Sequence, residues 1–290
     1  MKGKECIYRT HRLCIISIIL LCIGACEHVA VGGIQGVSEP ARAVIPPFAP
    51  GEKLTFVLKW GKIPAGKATL EVRSIEEING EAAYRFVMTA RTNSFVDIFF
   101  KVRNKIEGMA NVAMNRSVYY KAKQREGGYK RDIVVYFDWE KQQAQYSSSN
   151  KLKEPISIRP GTFDPLSVLY YVRMNPLEEN TNIIRSVTDG KKNIDGNLRV
   201  IKRETLKVPA GKFETYKVEP STEGIGGVFK KSKKAKLHLW LTADERRLPV
   251  KIKSKVAVGS FVGELVKIEE PPKTMRAPGV SALTQAAEEE

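Results

Sequence analysis

The sequence predicts a mainly β protein, built as a strongly curved antiparallel sheet or as an open or spiral β-barrel, with one or two short helices. Apolar residues recur at every second position in many segments, which is the period of a strand with one buried face. Four turn-forming pairs separate these segments, namely Asn79-Gly80, Gly127-Gly128, Asp189-Gly190 and Asp195-Gly196. About ten to twelve strands of this kind are too many for one flat sheet, so we expect strong curvature.

The chain opens with a segment that is typical of an export signal. Basic residues, among them Lys2 and Arg12, precede an apolar run from Leu13 to Ala25 that only Ser17 interrupts. This run is too short to cross about 30 Å of hydrocarbon as a helix, and it ends in small residues. We therefore interpret residues 1–25 as a signal peptide rather than as a membrane span.

The next residue predicts a lipid anchor. The segment Ile23-Gly24-Ala25-Cys26 resembles the bacterial lipobox, in which the cysteine is acylated before cleavage. The other cysteines, Cys6, Cys14 and Cys22, lie upstream, so Cys26 would have no disulfide partner in the processed chain. Acylation at Cys26 is the favoured interpretation; an ordinary signal peptide with an incidental cysteine is the alternative. Glu27, rather than Asp, follows, which by resemblance to diderm lipoproteins predicts a cell-envelope protein anchored in the outer membrane and facing the periplasm.

Composition divides the rest of the chain into three parts. Residues 26–50 hold the lipidated cysteine and a stretch rich in proline and glycine, which predicts a flexible tether. Residues 51–270 carry the alternating pattern and predict a single β-rich domain. Residues 271–290 begin with two prolines, end in Ala-Ala-Glu-Glu-Glu, and predict a disordered tail.

Two segments inside the domain predict short helices. Asp164 followed by Pro165 and a mainly apolar stretch indicates a capped and largely buried helix that ends near Asn175. Asn93-Ser94, followed by several apolar residues, indicates a second helix start. On the strands, Trp60 and Trp240 are expected to face the interior. Trp240 is out of phase with the leucines around it, so either one of these two sets faces outward or both faces of its strand are covered.

The net charge of +16 indicates an anionic partner. An exported protein does not meet nucleic acid as a routine partner, so we expect the membrane itself, through anionic lipid or lipopolysaccharide. The densest positive charge follows an apolar, glycine-rich stretch that begins at Gly224. We predict that this segment contacts anionic lipid through Lys230, Lys231, Lys233, Lys234 and Lys236. The alternative is a solvated loop.

Residues suited to catalysis are scarce. The processed chain has two histidines, His28 in the tether and His238 on a strand. The predicted domain has no second histidine and no cysteine, so we expect no Ser-His-Asp or Cys-His system and no nitrogen- and sulfur-rich metal site beyond His238 alone. Adjacent carboxylates occur as Glu76-Glu77, Glu178-Glu179 and Asp244-Glu245, where neighbouring side chains point apart. We therefore predict no catalytic residue, no metal and no cofactor.

Three motifs resemble those of the bacterial domain-of-unknown-function family 3108. They begin at Pro50-Gly51-Glu52, at Val208-Pro209-Ala210-Gly211 and at Leu239-Trp240-Leu241, in that order along the chain. The resemblance covers about residues 50–269 and implies an exported, envelope-associated and mostly β protein, with no established catalytic residues to carry over.

Three functions follow from these observations. The favoured one is a non-enzymatic, lipid-anchored envelope protein that binds a lipid, an acyl chain or a lipoprotein segment in a groove of the sheet. An envelope scaffold without a ligand pocket is the alternative, and a carboxylate-dependent hydrolase is less favoured. An apolar cavity of a few hundred Å³, a filled interior, or two carboxylates converging in a cleft would distinguish them.

Overall fold

A computed structural model describes residues 45–221, 236–256 and 259–272. Within these residues the chain forms one antiparallel sheet of fifteen strands and two short helices, as the alternating pattern predicts. The helices are α1 (Ser94–Asp97) and α2 (Ser167–Met174). The strands are β1 (Lys53–Trp60), β2 (Ile63–Ile78), β3 (Glu81–Thr92), β4 (Arg103–Asn111), β5 (Ser117–Glu126), β6 (Tyr129–Asp138), β7 (Gln143–Ser148), β8 (Lys151–Leu152), β9 (Ile156–Ser157), β10 (Asn182–Thr188), β11 (Asn193–Val208), β12 (Gly211–Pro220), β13 (Lys236–Thr242), β14 (Pro249–Val256) and β15 (Gly259–Glu269).

The described residues hold more strands than the ten to twelve expected. Two of the additional strands, β8 and β9, have only two residues each and pair with β7. A strand of two residues is too short to show an alternating pattern. Of the two strands with sixteen residues each, β2 carries the predicted alternation at Leu70 and Val72. The prediction of a turn at Asp195-Gly196 is wrong, because this pair lies inside β11 and is hydrogen-bonded to β10.

The first strand joins the two halves of the sheet. β1 pairs with β2 on one side and with β15 on the other, and from there each half continues as a meander to β8 in one direction and β10 in the other. Among the described strands no ladder joins β8 to β10, so the sheet is curved but open. The connecting segment spans the gap: the N–H of Ile158 donates to the carbonyl of Gln142, and Phe163 bridges Val187 on β10.

Helix α2 lies buried against the sheet. The Tyr170 ring stacks on Phe86 of β3 at 3.8 Å between centroids. As predicted, Asp164 caps this helix: its Oδ1 accepts the N–H groups of Leu166 at 2.8 Å and Ser167 at 2.9 Å. Gly108 of β4 allows this close approach, because a Cβ there would lie 2.6 Å from Oδ1 of Asp164. The predicted cap of α1 is also present, since Asn93 accepts the N–H of Val96.

The two tryptophans differ. Trp240 is buried, and Leu237 and Leu241 are buried as well, so both faces of β13 are covered. The indole N–H of Trp240 donates to Glu204 on β11 at 2.8 Å. The prediction for Trp60 is wrong: its side chain is 50% exposed, because it is the last residue of β1 and lies at an open end of the sheet, where its ring stacks on Phe261.

Candidate functional site

The space between α2 and the sheet is not completely filled. A cavity of about 120 Å³ remains there, with a lining that is almost wholly apolar. Leu70 and Met88 from β2 and β3 line one side, Leu169 of α2 another, and Leu237 and Leu239 of β13 a third. Residues at every second position of several strands thus converge on one space, and we call it the inner cavity.

A second and larger cavity, the outer cavity, lies at the open end of β1. Its volume is about 370 Å³, and its lining is also apolar. Trp60 and Ile63 at the β1–β2 turn, Phe95 and Phe99 of the α1 region, and Phe261 of β15 line it. Several of these side chains are more than half exposed, so the outer cavity opens to the surface.

The two cavities adjoin, and together we call them the apolar channel. Leu58, Ile252 and Gly263 line both of them. These residues are neighbours on three strands, because Gly263 pairs with Leu58 on one side and with Ile252 on the other. A Cβ at Gly263 would lie 2.8 Å from Cγ2 of Ile252 and 3.4 Å from Cδ2 of Leu58. The missing side chain of Gly263 therefore lets Ile252 and Leu58 pack over its backbone at the boundary between the cavities.

Polar groups reach the inner cavity at only a few points. Arg185, Asn197 and Lys251 contribute to its lining. Lys251 is paired with Glu264 at 2.8 Å. Arg185 donates through Nη2 to the carbonyl of Asn115 and lies over the ring of Tyr171 at 4.6 Å. Its Nε, like Oδ1 of Asn197, is buried without a hydrogen-bond partner among the described residues. The surface of the inner cavity is therefore almost wholly apolar.

The predicted anchor and most of the basic loop lie outside the described residues. The predicted site residues that lie outside are Cys26, Lys230, Lys231, Lys233 and Lys234. Lys236 is described: it is exposed, is the first residue of β13 and lies opposite Lys255 in the pairing of β13 with β14. Lys255 in turn pairs with Ser260, whose carbonyl accepts the N–H of Gly61 next to Trp60. Lys236 thus lies at the same end of the sheet as the outer cavity.

The residues considered for catalysis do not converge. His238 is partly buried, and its pKa is lowered, first by burial and then by the charge of Lys217. Glu76 forms hydrogen bonds with Ser74 and Arg85, which lower its pKa. Asp244 is bonded to Thr242 and Arg246. The backbone N–H of Arg203 donates to Glu179. None of these residues lines either cavity.

No cluster of three or more histidine, cysteine or acidic side chains suited to a metal ion occurs in the described part of the chain. Over the same residues no helix has the length and hydrophobicity needed to span a membrane.

Two features of this region are not predicted by the sequence pattern. The exposure of Phe95, Ile98 and Phe99 was not anticipated, although five apolar residues within Phe95–Phe100 at a short helix were the available signal. The second feature is a buried ion pair in which Arg173 of α2 meets Glu52, with Nη1 2.6 Å from Oε1. Nothing in the local pattern indicates that residues so far apart in the chain form a pair.

The chain is similar in structure to solved proteins of low sequence identity. A β-barrel-like protein of domain of unknown function DUF1849 from Brucella abortus aligns with a TM-score of 0.48 and 9% identity, over 78% of this chain and all of that one. A protein with a YmcC-like fold from Bacteroides fragilis aligns with a TM-score of 0.37 and 10% identity, over 79% of this chain and all of that one.

Sequence comparison assigns the family. No curated protein matches the chain significantly. The model of the family described as protein of unknown function, DUF3108, matches residues 55–266, which is most of the chain and nearly all of the sheet. This agrees with the resemblance seen in the three motifs, and the chain belongs to the DUF3108 family.

Proposed function

We propose that this protein is a non-enzymatic, lipid-anchored protein of the cell envelope that binds an acyl chain, a lipid or a lipoprotein segment in the apolar channel. The observation that carries the proposal is the pair of adjoining apolar cavities, which share Leu58, Ile252 and Gly263 in their lining and open beside Trp60. The outer cavity alone is within the range of about 300–1,000 Å³ that is usual for small-molecule sites.

The lining supports an apolar chain as the ligand. Burying each methylene of an acyl chain contributes about 0.8 kcal/mol, and the walls of both cavities are aliphatic and aromatic.

The location belongs to the same proposal. Acylation at Cys26 would hold the protein at the outer membrane, with the membrane as the partner. The part of residues 26–50 that precedes Phe48 would be the tether, because Phe48 is buried against Phe86 and Tyr170 of the domain. The basic loop that ends at Lys236 would add contact with anionic lipid or lipopolysaccharide.

The rival functions fit the described residues less well. A scaffold without a ligand would need no unfilled apolar space, whereas here two adjoining apolar cavities remain. A carboxylate-dependent hydrolase needs two carboxylates facing one cleft, and neither cavity is lined by a carboxylate.

Replacing Gly263 with alanine tests the channel. The added methyl group should displace Ile252 and Leu58, which line both cavities, and should lower the amount of acyl lipid that co-purifies with the full chain. Mass spectrometry of the protein extracted in mild detergent measures this lipid. Gly128→Ala is the matched control, since a Cβ there meets nothing within 4 Å. Wild-type protein that carries no lipid, or equal lipid in Gly263→Ala and Gly128→Ala at unchanged melting temperature, would contradict the proposal.

A further inference from the structure

Exposed apolar side chains are concentrated at one end of the sheet. Of the eleven large hydrophobic residues that are exposed in the described chain, five lie at the β1–β2 turn and at α1. We call them the apolar rim: Trp60, Ile63, Phe95, Ile98 and Phe99. Ile98 and Phe99 are each 76% exposed, which is the highest exposure among the eleven. Soluble domains rarely leave such a contiguous apolar surface uncovered unless it binds something.

The two parts of the apolar rim are held together rigidly. The N–H of Asn93 donates to the carbonyl of Ala65 at 2.9 Å, and its side-chain amide donates to the carbonyl of Pro64 at 2.8 Å. These bonds fasten the start of α1 to β2 beside Ile63. Asp97 of α1 is also bound to Arg103 of β4. The apolar rim is therefore a built surface rather than a few loose side chains.

Positive charge surrounds the apolar rim. Lys62 adjoins Ile63 in the turn, and Lys101 follows the α1 segment. Exposed lysines also occupy the nearby ends of β13 and β14, at Lys236, Lys253 and Lys255. None of these five lysines has a carboxylate within ion-pair distance among the described residues.

The surrounding segments offer little negative charge to oppose these lysines. Asp97 is the only acidic residue in the described segments 59–63, 92–102, 236–238, 253–256 and 259–262. Arg103 neutralises it, and hydrogen bonds from Arg103 and then Thr92 hold its pKa at about 2. The lysines around the apolar rim therefore face solvent with their charge uncompensated.

We propose that the apolar rim docks on the surface of an anionic phospholipid bilayer. Aromatic side chains are favoured at the boundary between headgroups and hydrocarbon, and lysines around them attract anionic headgroups. Pairing with a second copy of this chain is less favourable, because it would bring the lysines of both copies together. Docking does not depend on what fills the channel. If the proposed function also holds, docking brings the opening of the outer cavity to the membrane, since Trp60, Phe95 and Phe99 belong to both.

Photocrosslinking from position 98 tests the proposal separately from the channel. Ile98 lines neither cavity, so a ligand inside the channel would not reach it. The full chain, purified from membranes with a photoreactive benzoylphenylalanine in place of Ile98, is reconstituted into vesicles of phosphatidylglycerol and phosphatidylcholine in equal parts and irradiated. The control carries the same group in place of Ile184, which is 63% exposed, lies on β10 at an end of the sheet order and also lines neither cavity.

We expect phospholipid adducts from position 98 and not from position 184. The yield from position 98 should fall in vesicles of phosphatidylcholine alone. Replacing Lys62, Lys101 and Lys255 with glutamine should lower the ratio of docked to free protein about fivefold for each lysine, the factor expected for a lysine near anionic headgroups. Adducts to protein at position 98, equal lipid adducts at both positions, or no adducts at position 98 would overturn the proposal, whereas none of these results bears on lipid retained in the channel.

Discussion

The buried ion pair between α2 and the residue preceding β1 allows a sharp prediction for stability. Nη1 of Arg173 lies 2.6 Å from Oε1 of Glu52, and Nη2 lies 2.8 Å from Oε2. Both side chains are almost fully buried, at 1% and 5% exposure. Arg173 also donates through Nε to the carbonyl of Arg246, at 3.1 Å, and lies 5.4 Å from the ring of Phe48. This one side chain therefore connects α2, the start of the sheet and the β13–β14 turn.

Replacing Arg173 with methionine should destabilise the fold strongly. Methionine retains much of the apolar volume but leaves Glu52 buried without a cation. Breaking a buried pair in this way costs about 3–5 kcal/mol. For a domain of this size each kcal/mol lowers the melting temperature by about 2–4 °C, so a fall of roughly 10 °C is expected. Urea unfolding followed by circular dichroism would measure the loss, provided that the transition is two-state.

Two further variants decide whether the buried charge is the cause. Arg199→Met breaks the exposed pair between Arg199 and Glu219, where Arg199 is 61% exposed, and should cost less than about 1 kcal/mol. The double variant Arg173→Met with Glu52→Leu removes both charges and should recover much of the lost stability. The reasoning is refuted if Arg173→Met costs no more than Arg199→Met, or if the double variant is less stable than Arg173→Met alone.

Three other predictions concern the anchor, the basic loop and His238. Cys26→Ala should abolish metabolic labelling with palmitate and release the protein from membranes, and label that persists would exclude acylation at this cysteine. In a form lacking residues 1–26, glutamine would replace Lys230, Lys231, Lys233 and Lys234. This variant should bind anionic vesicles more weakly at low salt than the unsubstituted form, with no change in melting temperature. Equal binding would leave the segment as a solvated loop. Because folding lowers the pKa of His238 from 6.5, the unfolded chain binds this proton first, so stability falls as the pH drops through 6.5. His238→Gln should show a smaller fall in unfolding free energy over that interval, and identical pH profiles would contradict this.

The sequence by itself determined the features that depend on near neighbours in the chain. Alternation along Lys53–Trp60 identifies a strand, because side chains two residues apart share one face. Asp164 and Asn93 were recognised as caps because a cap bonds N–H groups two or three residues further on. The family could also be predicted, since its motifs are contiguous. These properties are local, and each can be inferred from one short segment.

Only the tertiary structure decided how distant segments meet. The alternation of β1 predicted an interior position for Trp60, but an inward-facing residue is buried only where another layer covers it, and β1 ends at an open edge of the fold. The boundary between the two cavities at Gly263 depends on the pairing of β15 with both β1 and β14. Glu52 and Arg173 are 121 residues apart. Because strand order, register and curvature set these distances together, no local pattern contains them.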